Sequence, residues 1–186
     1  MKIRPFLIFT VVLFIFSSCS KKEDCEDPID CLPAITQTGA NTAGCLVNGE
    51  VLLPGGQSLN SGSVLQAQYT YSGDGDDDFV FGLSIRNRES TYSKMMMITI
   101  RNEKLVEGNT YTLSTPESNQ TGSYNNLLMG GFITNEENTG ELFISNIDEE
   151  RQIVSGTFWF DAEETRSGEI VEIRNGRFDL PYYTSR

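Results

Sequence analysis

The sequence predicts an all-β protein, and three observations carry that prediction. Apolar and polar residues alternate with a period of two in several short segments, which is the pattern of a strand with one buried face. Asn-Gly pairs, typical of tight hairpin turns, occur at 48–49 and 175–176. No segment shows the 3.6-residue period of an amphipathic helix. We expect an antiparallel β-sandwich of about nine to ten strands, with a closed β-barrel as the alternative.

The strands are predicted from the apolar face that each segment would present to the core. In chain order they cover 44–47, 50–53, 64–71, 78–86, 94–101, 110–114, 141–147, 153–162 and 169–180. The residues expected to face the core are Leu65, Ala67, Tyr69 and Tyr71; Phe79, Phe81, Leu83 and Ile85; Met96, Ile98 and Ile100; Leu142 and Ile144; and Val154, Phe158, Phe160 and Ala162.

The two Asn-Gly pairs are each expected to form a two-residue hairpin turn. A turn at 48–49 would pair Leu46 with Val51. A turn at 175–176 would pair Ile173 with Phe178, so the segment 169–180 would be a hairpin with two arms. The segment 115–131, rich in Gly, Ser and Asn, is expected to be a long loop or an irregular edge.

The N-terminus resembles a removable leader that ends in a lipid-attachment site. Lys2 and Arg4 precede an uncharged apolar run over 6–16, which is too short to span a membrane as a helix. The ending 16–19, Phe-Ser-Ser-Cys, resembles a bacterial lipobox. The resemblance implies that 1–18 are a signal peptide and that Cys19 is acylated. Two or three acyl chains would anchor the protein to the outer membrane permanently, whereas one chain binds marginally.

Residues 19–40 are expected to form the lipidated cysteine and a flexible tether, followed by a single all-β domain over 41–186. The tether is polar and lacks periodicity. Its start, Ser-Lys-Lys-Glu-Asp at 20–24, resembles the export signal of Bacteroidota surface lipoproteins. The resemblance implies display at the cell surface, and a periplasm-facing position is the alternative.

The cysteines favour one disulfide in an oxidising compartment. Besides Cys19, the chain has Cys25, Cys31 and Cys45. Cys25 and Cys31 enclose a short loop that contains Pro28, so they are the preferred pair. Their spacing to Cys45 matches no zinc motif.

The composition excludes several classes of function. The chain has no histidine, so it cannot contain a Ser-His or Cys-His catalytic pair or a His-ligated zinc. It has 26 acidic against 14 basic residues, a net charge of -12, which argues against a nucleic-acid partner. Loss of Lys2 and Arg4 with the leader would make the charge -14.

Segments at both ends of the chain resemble a family of Bacteroidota lipoproteins of the Flavobacteria type. The first is TQTGANTAGCLVNG at 36–49. The others are IVSGTFWF at 153–160 and IRNGRFD at 173–179. These motifs hold turns, a strand glycine and core aromatics. The family has no established activity to carry over, so the resemblance implies the fold and the lipoprotein localisation only.

The densest acidic cluster is a candidate calcium site formed by Asp74, Asp76 and Asp78. The EF-hand pattern fails, because Phe79 stands where that loop needs glycine and Ile85 stands where it needs a bidentate glutamate. A solvated turn between two strands is therefore favoured, and no other metal site is expected.

Trp159, the only tryptophan, is the candidate contact for a ligand or partner. Alternation places it opposite the Phe158 and Phe160 face, so it should point outward. An outward indole could stack on a sugar ring or anchor a partner protein. The alternative is a tryptophan covered by a loop or by the tether.

No catalytic group is expected, and no cofactor. The adjacent acids Glu163 and Glu164, and Glu149 and Glu150, lie beside predicted turns and are best interpreted as solvated pairs. The sequence favours a non-catalytic binding or structural domain, held to the membrane by its lipid, with an unknown protein or glycan partner. A glycan- or small-ligand-binding β-barrel carrier and a histidine-free hydrolase are the alternatives.

Overall fold

The computed structural model describes residues 25–57, 62–71, 79–89 and 92–185, and these residues are nearly all β. Two short 3-10 helices, Pro28–Cys31 and Pro116–Ser118, accompany the strands. The strands are β1 (Thr42–Val47), β2 (Glu50–Leu52), β3 (Leu65–Tyr71), β4 (Phe79–Asn87), β5 (Lys94–Arg101), β6 (Thr110–Leu113), β7 (Gln120–Asn126), β8 (Gly130–Ile133), β9 (Gly140–Asp148), β10 (Ile153–Glu164) and β11 (Ile170–Ser185).

The strands form one mixed sheet in the order β2-β1-β11-β3-β4-β5-β7-β8-β10-β9-β6. The pairings are antiparallel except that of β11 with β3, which is parallel. β10 also pairs with β11, so the sheet folds back on itself. β8 meets β10 through only two residue pairs, and the sheet therefore does not form a regular barrel. The all-β prediction is confirmed, and the arrangement is consistent with a sandwich.

One hydrophobic core lies between the folded halves of the sheet. The alternation predicted from the sequence is confirmed, because the residues expected inside on β4, β5, β9 and β10 are buried except Phe79, which is half-buried. A buried leucine, isoleucine or phenylalanine contributes about 1.5–3 kcal/mol. The largest fully buried side chains are Phe81, Phe132, Phe160, Leu52, Leu83, Ile85, Met96, Ile98, Ile100, Leu113, Leu142 and Ile144.

The hairpin turn predicted at Asn48 and Gly49 is confirmed. Both residues have positive φ, 49° and 83°, which is the geometry that a two-residue turn of this kind requires. Leu46 pairs with Val51, as the sequence indicates. β1 and β2 are therefore held in register by their own turn.

The hairpin predicted at Asn175 and Gly176 is wrong. β11 runs through this point as one strand, and its neighbours β10 and β1 both shift register beside it. Asn175 has a φ of 54°, so the pair forms a bulge within a strand that is paired on both sides. A Cβ on Gly176 would collide with the ring of Phe158, so packing explains the glycine here.

The long loop predicted over 115–131 is also wrong, because β7 and the start of β8 lie within this segment. β7 is polar and offers little strand propensity of its own. It forms because β5 and β8 pair with it on both sides, and such context overrides propensity. Tyr124 of β7 and Phe132 of β8 are buried against each other and contact the core. These strands raise the total to eleven.

Residues 32–40, here called the strap, differ from the flexible tether expected over 19–40. Leu32 is buried against β1, where a Cβ on Gly44 would lie 2.6 Å from Leu53 and 3.2 Å from Leu32 and Pro33. The strap follows the disulfide between Cys25 and Cys31, whose Cα atoms are 5.7 Å apart. The chain thus lies on the sheet well before β1 begins.

Within the described ranges, no helix combines the length and the apolar character needed to cross a membrane. The signal peptide, 1–18, and the lipidation site, Cys19, lie outside those ranges.

Candidate functional site: the Trp159 groove

An open groove lies on the outer face of β9, β10 and β11, with the strap as one wall. It has a volume of about 360 Å³. Trp159 lies in its floor and is 37% exposed, as its place in the alternation predicts. The side chains that define this Trp159 groove are Ile35, Glu141, Phe143, Thr157, Trp159, Arg174 and Arg177.

The floor of the groove consists of two cross-strand rows. In one row Phe143 of β9 lies opposite Thr157 of β10, which lies opposite Arg177 of β11. In the other row Glu141 of β9 lies opposite Trp159. Diagonal neighbours on a sheet are about 7–8 Å apart, so the indole and the Phe143 ring form a shared aromatic floor.

Arg174 and Glu141 fix the indole of Trp159. The guanidinium carbon of Arg174 lies 5.6 Å from the centre of the indole, a cation–π contact. The indole Nε1–H donates to Glu141 Oε2 at 3.3 Å. Arg174 itself is held by Asp161, at 2.6 Å, and by Glu172, at 3.3 Å. These contacts together fix the orientation of the indole.

Arg177 lies at the opposite side of the groove from Glu141. Its Nη1 donates to the carbonyl of Pro33 in the strap at 3.3 Å, and its Nε donates to the carbonyl of Asn175 at 3.4 Å. Within the described part of the chain no carboxylate forms an ion pair with Arg177. A half-buried guanidinium with free donors therefore faces the groove.

Asp179 of β11 fastens the strap beside the groove, and sequence reasoning missed this role. The side chain lies on the outer face of the sheet, yet the residue is only 1% exposed because the strap covers it. No local signal could have found it, because an acid between two core residues, here Phe178 and Leu180, is the ordinary outward position of an alternating strand. Its carboxylate accepts from Thr36 Oγ1 (2.6 Å), Thr38 N (2.9 Å), Gly39 N (2.8 Å), Ala40 N (3.1 Å) and Ser155 Oγ (2.8 Å).

These hydrogen bonds hold the pKa of Asp179 well below its usual range. Burial alone would raise the pKa, but the donors from Thr36, Ala40, Thr38 and Ser155 outweigh it because they stabilise the charged form. On the turn between β10 and β11, hydrogen bonds from Arg166 and Ser167 lower the pKa of Glu164 to about 2. Both carboxylates remain ionised in mild acid.

Acid is therefore expected to destabilise the fold below about pH 4, the range of an unfolded-state aspartate. Because the folded-state pKa of Asp179 is depressed, its contribution is fully present above that range and is lost as the pH falls toward the folded-state value. Urea denaturation across the acid range would measure this. Asp179→Asn should flatten the acid side of the profile, and an unchanged slope in that variant would contradict the assignment.

The thiol of Cys45 is expected to be inert in the folded protein. Cys45 is fully buried in the core and forms no disulfide, and burial raises its pKa to about 12. Because the thiolate is the reactive species, a maleimide should label Cys45 only after unfolding in urea. Labelling of Cys45 in native buffer as fast as in urea would contradict this prediction.

The other candidate residues of the sequence are the calcium candidates and the two acid pairs. Asp74, Asp76 and Asp78 lie outside the described residues, and within those ranges no cluster could hold a metal ion. The acid pairs are engaged separately. Asn135 and Asn138 donate to Glu163, whereas Lys104 forms an ion pair with Glu149.

A family model described as a domain of unknown function, DUF6252, matches residues 61–180, well over half of the chain. The chain belongs to this family. Comparisons with curated proteins and with solved structures gave no match.

The DUF6252 match runs from just before β3 to Leu180 in β11. It contains the floor of the Trp159 groove and Asp179, while the strap precedes it. The groove is thus built by the family domain together with a segment outside the matched range. Sequence reasoning identified Trp159 but neither Arg177 nor the wall that contains Ile35, because both depend on how the strap lies on β11.

Proposed function

We propose that this chain is an outer-membrane lipoprotein of the Bacteroidota type whose β-domain binds a ligand at the Trp159 groove without catalysis. The observation that carries the proposal is an indole held in an open groove by Arg174 and Glu141. An outward aromatic whose orientation is fixed in advance loses little entropy on binding. The lipobox-like segment at 16–19 and the export-like run at 20–24 support an anchored position facing the cell surface.

The fluorescence of Trp159 tests the binding role. Since Trp159 is the only tryptophan, its emission reports on the groove alone. We expect a panel of polysaccharides to include members that quench this emission, and we expect Trp159→Ala to lose retention by them in affinity electrophoresis. The matched control is Tyr183→Ala, because Tyr183 is an exposed aromatic (65%) on β11 that does not line the groove. Equal retention of the two variants would contradict the proposal.

The anchor is tested separately. Cys19→Ala should move the protein from the membrane fraction to the soluble fraction, because the acyl chains would be lost. Cys45→Ala serves as the matched cysteine control and should stay in the membrane fraction. Retention of both variants would contradict lipid anchoring through Cys19.

The carrier alternative finds little support in the pocket between Tyr69, Phe81 and Tyr182. The Lys104–Glu149 ion pair lies at its mouth, and its volume of about 20 Å³ is that of roughly one water molecule. The Trp159 groove, by contrast, has a volume of about 360 Å³ and is open to solvent. We therefore place ligand binding on the outer face of the sheet.

A further inference from the structure

We infer that the Trp159 groove binds a polysaccharide whose sugar rings carry carboxylates, with Arg177 as the receptor for the carboxylate. The inference rests on the proposed binding function and assigns its ligand class. Its basis is the chemical difference between the two arginines of the groove, together with the way in which the strands of the floor are paired.

The two arginines differ in what neutralises them. Asp161 and Glu172 neutralise Arg174, which also donates to the carbonyls of Phe160 and Ile173. Arg174 is therefore a positioning residue that orients the indole. Arg177 contacts only carbonyl oxygens among its described partners. Two of the five donors of its guanidinium are used in these contacts, and the fork that remains suits a carboxylate.

Charge complementarity at Arg177 is local. The chain carries 26 acids against 14 bases, so its overall field repels a polyanion. A polyanionic ligand must therefore be recognised through short-range contacts with individual side chains of the groove. Arg177 is half-buried between the strap and β11, where a charge-assisted hydrogen bond is screened less than on an open surface. Arg177 forms no ion pair among the described residues, so it is the position in the groove that suits a negatively charged group of the ligand.

The pairing of the floor strands favours a glycan over an extended peptide. A peptide that adds to a sheet needs a free strand edge. Here β9 is paired with β6 and β10, β10 with β9 and β11, and β11 with β10 and β1. These strands therefore offer no free edge to an added strand, and the bulge at Asn175 is the one unpaired point of the β11 backbone that lines the groove. A sugar ring needs only side chains, because its C–H face stacks on an indole and its rim makes hydrogen bonds.

The groove also gives the ligand a direction. Glu141 lies on β9 and Arg177 lies on β11, two strands away, which is about 10 Å. The carboxylate of the sugar is repelled at Glu141 and accepted at Arg177. Ring hydroxyls can donate to Glu141, while Trp159 and Thr157 of β10 lie between these two ends and Phe143 lies beside Glu141 on β9.

The test uses the full-length protein in detergent and two probes, a galacturonic acid oligomer and the same oligomer with its carboxyls methyl-esterified. Binding is measured by titration calorimetry and by the emission of Trp159. We expect the esterified oligomer to bind about tenfold more weakly than the acid, the usual effect of losing one charge-assisted hydrogen bond. Arg177→Gln should lose about the same factor for the acid and should no longer distinguish acid from ester.

The control is Arg101→Gln, because Arg101 is an exposed arginine at the end of β5, away from the groove. It should keep the wild-type preference for the acid. Equal affinity of the wild type for acid and ester, or an unchanged preference in Arg177→Gln, would overturn the inference while leaving a glycan-binding groove intact. Failure of both oligomers to bind, or tighter binding of polyglutamate than of the oligomer, would overturn the ligand class. Loss of all glycan contacts in Tyr183→Ala, but not in Trp159→Ala, would overturn the proposed function itself.

Discussion

Replacing Asp179 by asparagine is expected to lower the free energy of unfolding by about 3 kcal/mol. The carboxylate accepts hydrogen bonds from four residues of the strap and from Ser155. Asparagine keeps the size of the side chain, but its NH₂ group would face N–H donors and leave buried donors unsatisfied. The strap would then separate from β11.

Urea denaturation measures the free energy, and limited proteolysis within 32–40 measures the release of the strap. The matched control is Glu172→Gln, since Glu172 is an exposed acid on the same strand whose only described ion pair is with Arg174. It should cost less than about 0.5 kcal/mol. If both variants unfolded at the same urea concentration, Asp179 would not be the fastening point.

Replacing Gly156 by alanine is expected to destabilise the fold by about 3 kcal/mol, at the upper end of overpacking costs. A Cβ at this position of β10 would collide with the backbone carbonyl of Phe143 and would lie 2.9 Å from the ring of Phe178. A carbonyl within a sheet ladder cannot move without breaking its neighbours' hydrogen bonds. The substitution is therefore expected to weaken the pairing of β9 with β10, the two strands that form much of the floor of the groove.

Gly82→Ala on β4 is the matched control for Gly156→Ala. Gly82 is also a strand glycine without positive φ, but a Cβ there meets nothing within 4 Å. This variant should be neutral or slightly stabilising, because alanine restricts the unfolded chain. Thermal melts of the two variants give the comparison. Similar melting temperatures would contradict the prediction, because they would show that the structure around Gly156 accommodates the added Cβ without loss of stability.

The sequence predicts the central strands well and the special segments poorly, for identifiable reasons. Alternation on β4, β5 and β10 reflects burial of one face, which is a property of each strand alone. The bulge at Asn175 is different, because the same dipeptide suits a turn or a bulge and only the neighbours β1 and β10 decide between them. The sequence does not indicate β7, because its residues are mostly polar and the strand forms through pairing with β5 and β8.

In the candidate site, too, some features can be predicted from a single strand and others depend on distant parts of the chain. The outward position of Trp159 follows from alternation within β10, so the sequence is sufficient to predict it. The contacts of Arg177 and Asp179 with the strap join residues more than 130 positions apart. Neither partner carries a local pattern that indicates the other. In the sequence, a polar segment with prolines therefore resembles a flexible linker. Only the structure shows that Asp179 accepts hydrogen bonds from it.

The contact between the strap and Asp179 also fixes an order of events during biogenesis. Thr36 and Asp179 are 143 residues apart, and β1 pairs with β11 over a similar separation. The strap and β1 can therefore dock only once residues more than 130 positions later in the chain are available. Chains rich in such distant contacts fold slowly, with strand edges exposed in the meantime. We expect a chain truncated before β11 to be protease-sensitive at its N-terminal end as well, because the strap and β1 would lack the strand that binds them.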